Sequence, residues 1–240
     1  MILAIIFAQV WGVIQLIVLT SLARTVRVRT VLAAMAVGFY AIGPVTAFIQ
    51  LSWIRIASHV FGKAVFDLTG VASYTVDPFI EEAMKLLPLL VLLLIPAIRR
   101  QWSVTDCLLI AAASGSGFGL AEHLFRYADY ASTAQSVSGG YAMTIGSATP
   151  LVPGIARTLI SWIPLGVFFA ANEFHLNWHL AWSAICGLAV GLFLRYPKRA
   201  ARFTAAGLLL LVTLDHAAGN AASIEYTWLA WFAADRKSVV

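Results

Sequence analysis

Three observations predict an all-α fold, a polytopic transmembrane helical bundle of about 6 to 8 helices. Hydrophobic residues make up 61% of the 240-residue chain, charged residues only 11%, and the mean hydropathy is +0.86. Apolar runs of membrane length recur along the chain, and basic residues collect in the short turns between them. One soluble core could not hide so much apolar surface, so we expect the lipid bilayer to cover most of it. The basic residues behind the net charge of +5 fall in these turns, where they set orientation in the membrane, so the charge does not indicate nucleic acid as a partner.

The N-terminal region, residues 1–77, is predicted to hold two spans and an outer connection. The first span covers residues 1–21, and the three arginines that follow it at once predict a cytoplasmic turn. The second span covers residues 30–54, where the Gly43-Pro44 pair predicts a kink. Residues 55–77 are mixed in polarity and predict a connection on the outer side.

A central helix, predicted over residues 78–98, begins the membrane core and carries Glu81, Glu82 and Lys85 near its start. Charges inside a spanning helix cost several kcal/mol on insertion, so three of them together predict a functional site. The i, i+4 spacing puts Glu81 and Lys85 on one face, where they can neutralise each other. Glu82 points about 100° away from that face and could stay free for chemistry.

The rest of the core, which extends to residue 223, is predicted to contain three further spans, at residues 104–125, 179–194 and 203–223. Asp106 is placed to cap the first of these. Residues 150–171 are apolar but hold three prolines, and an extra crossing there would put the last basic turn outside. We therefore predict a re-entrant or interfacial element at this position. The aromatic tail, residues 224–240, is too short to span and predicts an interfacial segment.

Two polar-centred helical hairpins are predicted within this core. Glu81 and Glu122 lie about 20 and 21 residues from the turn centred near residue 101, which follows Arg99 and Arg100, and each separation is roughly 30 Å of helix. His179 and His216 lie about 19 and 18 residues from the basic turn centred near residue 198. Antiparallel packing puts the members of each pair at one depth, toward the outer leaflet if both turns are cytoplasmic. The four side chains can then converge.

Two histidines and a carboxylate on separate helices form a residue set that binds catalytic zinc and leaves one position open for water. Glu122, His179 and His216 are the predicted ligands of Zn²⁺. A carboxylate beside the metal can take the proton of the zinc-bound water, and Glu81 and Glu82 both stay candidates for this base. We expect Glu82 to be the freer of the two. Hydrolysis of a peptide bond is the chemistry that this set suits.

Several further residues are predicted to support the site. Asn220 lies one turn after His216 and could donate to a developing oxyanion. Lys85 is expected to select between the two glutamates of its helix. Arg157 is either a partner for a carboxylate or a surface arginine. Ser183 belongs to a series of small residues at spacing four, matched by Gly115 and Gly119, that lets helices approach closely.

Four motifs in order resemble the PrsW family of intramembrane metalloproteases, which is related to the type II CAAX prenyl proteases: Glu81-Glu82-x-x-Lys85, Phe118-x-x-x-Glu122, His179-x-x-x-Ser183-x-x-x-Gly187 and His216-x-x-x-Asn220. The resemblance covers residues 78–221 and implies cleavage of a membrane protein or peptide substrate by the Glu and His residues of these motifs. Two departures are His123, where asparagine is common, and Ser183, where threonine is usual. We expect an integral protein of the plasma membrane of a prokaryote.

Two other functions remain open at this stage. The polar centre could be a packing element of a non-catalytic scaffold or chaperone, or a proton relay in a small proton-coupled transporter. Structural alternatives also exist for single residues, such as an ion pair between Glu122 and Arg126 at i, i+4 or a backbone-bonded His216. Loss of bound zinc on mutation of His216 would favour the protease over the other two functions.

Overall fold

The computed structural model describes residues 2–132, 135–137, 140–142, 151–163, 165–168 and 174–224. These residues are almost entirely helical, with two short β-hairpins, which confirms the all-α class. Within this part of the chain, four helices are long and apolar enough to cross a membrane: Val28–Phe61, Val104–Arg126, Trp178–Arg195 and Arg199–Ala222. The total of 6 to 8 crossing helices stays a prediction.

The N-terminal part consists of α1 (Ile2–Leu19) and one long helix that is disturbed in the middle. That helix contains α2 (Val28–Val37), a π-helical turn at Gly38–Ile42 and α3 (Gly43–Phe61). The π-helical turn comes just before Pro44, which has no N–H to donate to the preceding turn. A wider turn lets the helix continue past the proline. The disturbance predicted at Gly43-Pro44 therefore takes this form.

The connection predicted at residues 55–77 is helical in the structure. After α3 ends at Phe61, a separate helix α4 covers Val65–Thr75. Gly62 ends α3 with φ +64°, a left-handed conformation that residues with side chains rarely adopt. Three polar residues of this segment lie on exposed helix faces, where polarity does not indicate a loop: Arg55, His59 and Asp67.

The helix predicted over residues 78–98 is divided into α5 (Asp77–Leu93) and α6 (Pro96–Gln101). A proline in the first turn of a helix loses no hydrogen bond, because that N–H has no partner in the helix anyway. Proline also disfavours the helical conformation in the residue before it, and Ile95 is extended at φ −78° and ψ 113°. The break therefore comes from the position of Pro96.

The long helix α7 (Val104–Ser132) lies at the centre of the bundle and packs most extensively against α9 (Trp178–Arg195). Small residues allow this close approach. A Cβ atom on Gly115 would overlap the side chain of Ser183, and one on Gly187 would lie 2.5 Å from the carbonyl oxygen of Cys107. The small-residue faces of the two predicted hairpins thus pack against each other.

The segment predicted to be re-entrant or interfacial contains α8 (Leu151–Ser161), a helix of 11 residues. Such a helix is about 16 Å long, roughly half the thickness of a bilayer core. After it, β3 (Gly166–Phe168) pairs antiparallel with β4 (Phe174–Leu176). The side chain of Gln15 on α1 fixes the turn between α8 and β3, because it donates to the carbonyl oxygen of Ile163 at 3.0 Å and accepts from the backbone N–H of Leu165 at 2.9 Å.

The other hairpin pairs β1 (Gln135–Val137) with β2 (Gly140–Ala142). At the end of the described chain, α9 is followed by α10 (Arg199–Ile224). The side chain of Asn177 caps α9 by accepting from the backbone N–H of Leu180 at 3.2 Å. The predicted interfacial tail lies outside the described residues, except for residue 224.

Asp106 joins the turn after α1 to the start of α7 and is fully buried. Its carboxylate accepts hydrogen bonds of 2.7–2.9 Å from Thr25, Val26 and Ser103, through three backbone N–H groups and two hydroxyls. The Ser103 hydroxyl accepts in return from the backbone N–H of Asp106 at 3.2 Å, which completes a capping box. The predicted cap at Asp106 is thus present and also holds the turn between α1 and α2.

We predict that Asp106→Ala lowers the midpoint of thermal unfolding by about 5–10 °C. Hydrogen bonds to a charged acceptor contribute about 1.5–3 kcal/mol, and 1 kcal/mol moves the midpoint of a chain of this size by about 2–4 °C. Asp67→Ala, at an exposed aspartate in the first turn of α4, is the matched control and should have little effect. Equal midpoints for the two variants in purified protein would contradict this role of Asp106.

Candidate metal and catalytic site

The first turns of α5 carry the three charged residues of the first motif, and all three are buried. Glu81, Glu82 and Lys85 are 7%, 4% and 0% exposed. Lys85 Nζ donates to Glu82 Oε1 at 2.9 Å and to Glu81 Oε2 at 3.2 Å. Buried charges are tolerated when they are paired and hydrogen-bonded, and here one ammonium group serves both carboxylates. The helical spacing alone suggested that Glu82 would stay free. In the structure Glu82 is not free, because it also pairs with Lys85.

His216 on α10 is buried and oriented by two neighbours. Its Nδ1 lies 2.9 Å from Glu82 Oε1, and its ring stacks on Trp182 with 4.1 Å between the ring centroids. An ionised carboxylate can only accept, so this contact puts a proton on Nδ1 and leaves Nε2 as the ring nitrogen available to a metal. Nε2 lies 3.7 Å from Glu81 Oε2. This is the carboxylate–histidine arrangement that orients histidine ligands in metal sites.

His179 on α9 connects Lys85 with Glu122. Its Nδ1 accepts from Lys85 Nζ at 2.9 Å, and its Nε2 lies 2.7 Å from Glu122 Oε2. The other oxygen of Glu122 pairs with Arg126, one turn further along α7. Gly119 makes room for the ring, because a Cβ atom there would lie 2.9 Å from His179 Cδ2. The second and third motifs of the sequence thus meet at these two side chains.

These contacts gather side chains from four helices at one centre. One potential ligand atom each from Glu81, Glu122 and His179 lies within 4.8 Å of the others. His216 lies beside this group, with 5.9 Å between its ring centroid and that of His179. The two pairs that the hairpin arithmetic put at matching depths are therefore together. The predicted ligand set was Glu122, His179 and His216. In the three-residue cluster the third member is Glu81, which was predicted as a candidate base, and not His216.

A cavity of about 60 Å³ opens beside the cluster and is lined in part by Glu81 and Glu122. It is large enough for several water molecules. Gln50 on α3 also lines it and donates from Nε2 to Glu81 Oε1 at 3.1 Å. Sequence reasoning missed Gln50, although a polar residue in an uncharged span was a usable signal. It also missed Asp77, a buried carboxylate one turn before Glu81 that lies just outside the predicted helix.

The remaining predicted residues have other partners or positions. Asn220 Nδ2 donates to the backbone carbonyl of Ser73 on α4 at 2.8 Å, so this amide links α10 to α4. Ser183 is buried at the close contact with α7, and Arg157 is exposed on α8. His123, the possible competing ligand, has its Nδ1 2.5 Å from the backbone carbonyl of Gly119.

A family model described as PrsW family intramembrane metalloprotease matches residues 26–234 of the chain. The chain belongs to this family. It is therefore a peptidase of the PrsW type and an integral membrane protein that acts on protein substrates. The match also covers α2 to α4, beyond the four motifs that carried the resemblance. No curated protein and no solved structure matches the chain.

The cluster of this PrsW protein fits a metal ion by its chemistry, since carboxylate oxygens and imidazole nitrogens are common zinc ligands. His216 already presents its Nε2 lone pair toward Glu81. His179 accepts at Nδ1 from Lys85, so its ring proton is on Nε2. To ligate through Nε2, the ring must carry its proton on Nδ1, and the contact with Lys85 must be given up. Lys85 would keep its two carboxylate partners.

We predict that purified protein binds one zinc ion per chain and that Glu122→Gln and His179→Ala each weaken binding at least tenfold. Loss of an outer-shell partner alone costs about 10–100-fold in metal affinity, so loss of a ligand should cost no less. His59→Ala, at an exposed histidine of α3, is the control and should bind zinc as the wild type does. Mass spectrometric metal analysis after equilibration in buffered zinc measures this. Full binding by the Glu122 and His179 variants would place the metal elsewhere.

Proposed function

We propose that this PrsW-family chain is a metal-dependent intramembrane endopeptidase that cleaves membrane-associated protein substrates in the plasma membrane of a prokaryote. One observation carries the proposal: ligand atoms of Glu81, Glu122 and His179 lie within 4.8 Å of one another in the interior of the helical bundle. Ionisable side chains inside membrane helices cost free energy on insertion, so their convergence from four helices indicates a functional site.

Glu122, His179 and His216 are the proposed ligands of Zn²⁺. When bound, the ion supplies Lewis-acid chemistry, which activates water and polarises a peptide carbonyl. Glu82 orients His216, because it accepts a hydrogen bond from the Nδ1–H group and so keeps Nε2 directed toward the cluster. Arg126 holds the outer oxygen of Glu122 and leaves its inner oxygen to face His179.

Glu81 is the proposed general base. It lines the cavity that can hold water, while Glu82 is engaged by Lys85 and His216. Lys85 and Gln50 each donate to one of its oxygens, which fixes the orientation of the carboxylate. A base held in this way can take a proton from water at Oε2 and later pass it to the leaving amine. Lys85 Nζ lies 3.2 Å from Oε2 and provides the positive charge that compensates this buried carboxylate.

Two substitutions distinguish the proposed roles of the paired glutamates. Glu81→Gln should lower the cleavage rate by about 100-fold or more and leave zinc affinity near the wild-type value, since removal of a general base costs about 10²–10⁴-fold. Glu82→Gln should weaken zinc binding by about 10–100-fold, and its activity should rise again as free zinc is raised.

Cleavage of a panel of single-span reporter proteins in proteoliposomes, at buffered zinc concentrations, measures both effects. Asp67→Asn, at an exposed carboxylate of α4, is the control and should cleave at the wild-type rate. If Glu81→Gln and Glu82→Gln both keep full activity, neither residue is the base. If zinc restores Glu81→Gln and not Glu82→Gln, the two roles are reversed.

A further inference from the structure

A second cavity opens at the basic end of the bundle, away from the metal cluster. It is a crevice of about 510 Å³ between α5, α9 and α10, a volume typical of small-ligand sites. Its floor consists of the buried residues Leu93, Ala189 and Ala205. Exposed apolar side chains form its walls, among them Leu94 and Phe193. The crevice therefore offers an apolar slot that the chain itself does not fill.

Two arginines provide the polar part of the crevice lining, Arg99 at the end of α6 and Arg202 in the first turn of α10. The guanidinium of Arg202 lies over the ring of Phe193, 5.6 Å from its centroid. Arg195 donates to the backbone carbonyls of Arg99 and Trp102, which holds the end of α6 against α9. The backbone that carries Arg99 is thus fixed beside the crevice.

The positive charge of these two arginines is not balanced at the crevice. Among the described residues that line it there is no carboxylate. The ion pairs of the described part of the chain involve neither Arg99 nor Arg202. An occupant of complementary chemistry therefore carries an anionic group at one end and an apolar body at the other.

We propose that this crevice binds an anionic phospholipid. The phosphate pairs with Arg99 and Arg202, because the planar guanidinium donates two parallel hydrogen bonds to phosphate oxygens. An acyl chain follows the apolar slot toward Leu90 and Leu209. Leu209 lies seven positions after Arg202, which corresponds to about 10 Å of helix, so the slot receives the upper part of the acyl chain. Basic sites between membrane helices bind anionic headgroups in this manner.

Other occupants fit only part of these observations. A soluble anion would pair with the arginines but leave the apolar slot empty. A zwitterionic lipid would fill the slot, but its own cationic group would oppose the two guanidinium groups. The crevice thus predicts a preference for headgroup charge in addition to a general affinity for lipid.

Lipid titration of the detergent-purified full chain by native mass spectrometry tests the proposal, with phosphatidylglycerol and phosphatidylcholine of identical acyl chains as probes. Wild-type protein should bind phosphatidylglycerol at least roughly tenfold more tightly than phosphatidylcholine, because each arginine near a membrane surface adds to the binding free energy of an anionic lipid. Arg99→Gln/Arg202→Gln should lose this preference. The matched control, Arg27→Gln/Arg29→Gln, removes two exposed arginines at the start of α2 and should keep the preference.

A second pair of variants tests whether the lipid occupies the crevice. Ala206→Phe puts a ring into the slot and should weaken binding of both lipids, whereas Leu210→Phe changes an exposed residue of α10 outside the lining and should not. Equal affinity of the wild type for the two lipids would overturn the proposal. So would an equal loss of preference in the two double-arginine variants, or unchanged binding in Ala206→Phe.

Discussion

The buried ammonium group of Lys85 is the interaction on which the polar centre depends. It is fully buried, and it donates to Glu81, Glu82 and His179 at 3.2, 2.9 and 2.9 Å. Through these partners it connects α5 to α9, and through Glu82 and His216 it connects α5 to α10. Removing one member of a buried charge network leaves the others uncompensated, at a cost of about 3–5 kcal/mol. The centre therefore holds together as a unit.

Close helix packing makes this unit possible. The polar side chains are long enough to meet only where the helix backbones approach one another, and small residues permit that approach. Gly115 and Gly119 on α7 lie against Ser183 and His179 on α9, and any larger side chain at these glycines would collide. In lipid there is little hydrophobic force to drive helices together, so packing and polar contacts must bring about association. The same residues thus support both the fold and the site.

Much of the site was predictable, because charge inside an apolar helix is rare and helix length converts directly into depth. Glu81, Glu122, His179 and His216 were found by these two rules, and the structure brings them together. The rules do not give the rotation of each helix, so they could not tell that Lys85 reaches both carboxylates or that Asn220 faces α4. Helix α4 was missed because polar residues at short intervals, such as Lys63 and Asp67, resemble a connection. Gln50 is neutral and gave a weaker signal than a charge.

Zinc K-edge X-ray absorption of the zinc-loaded protein is the most direct test of the proposed centre. We expect a first shell of nitrogen and oxygen atoms at about 2.0–2.2 Å, with the imidazole contribution reduced by one ring in His216→Ala. Cys186 provides the sharpest contrast, because its Sγ lies 4.0 Å from Glu82 Oε2, at the edge of the same polar centre. A sulfur shell at about 2.3 Å, or a spectrum unchanged by loss of His216, would contradict the assignment of the metal to these residues.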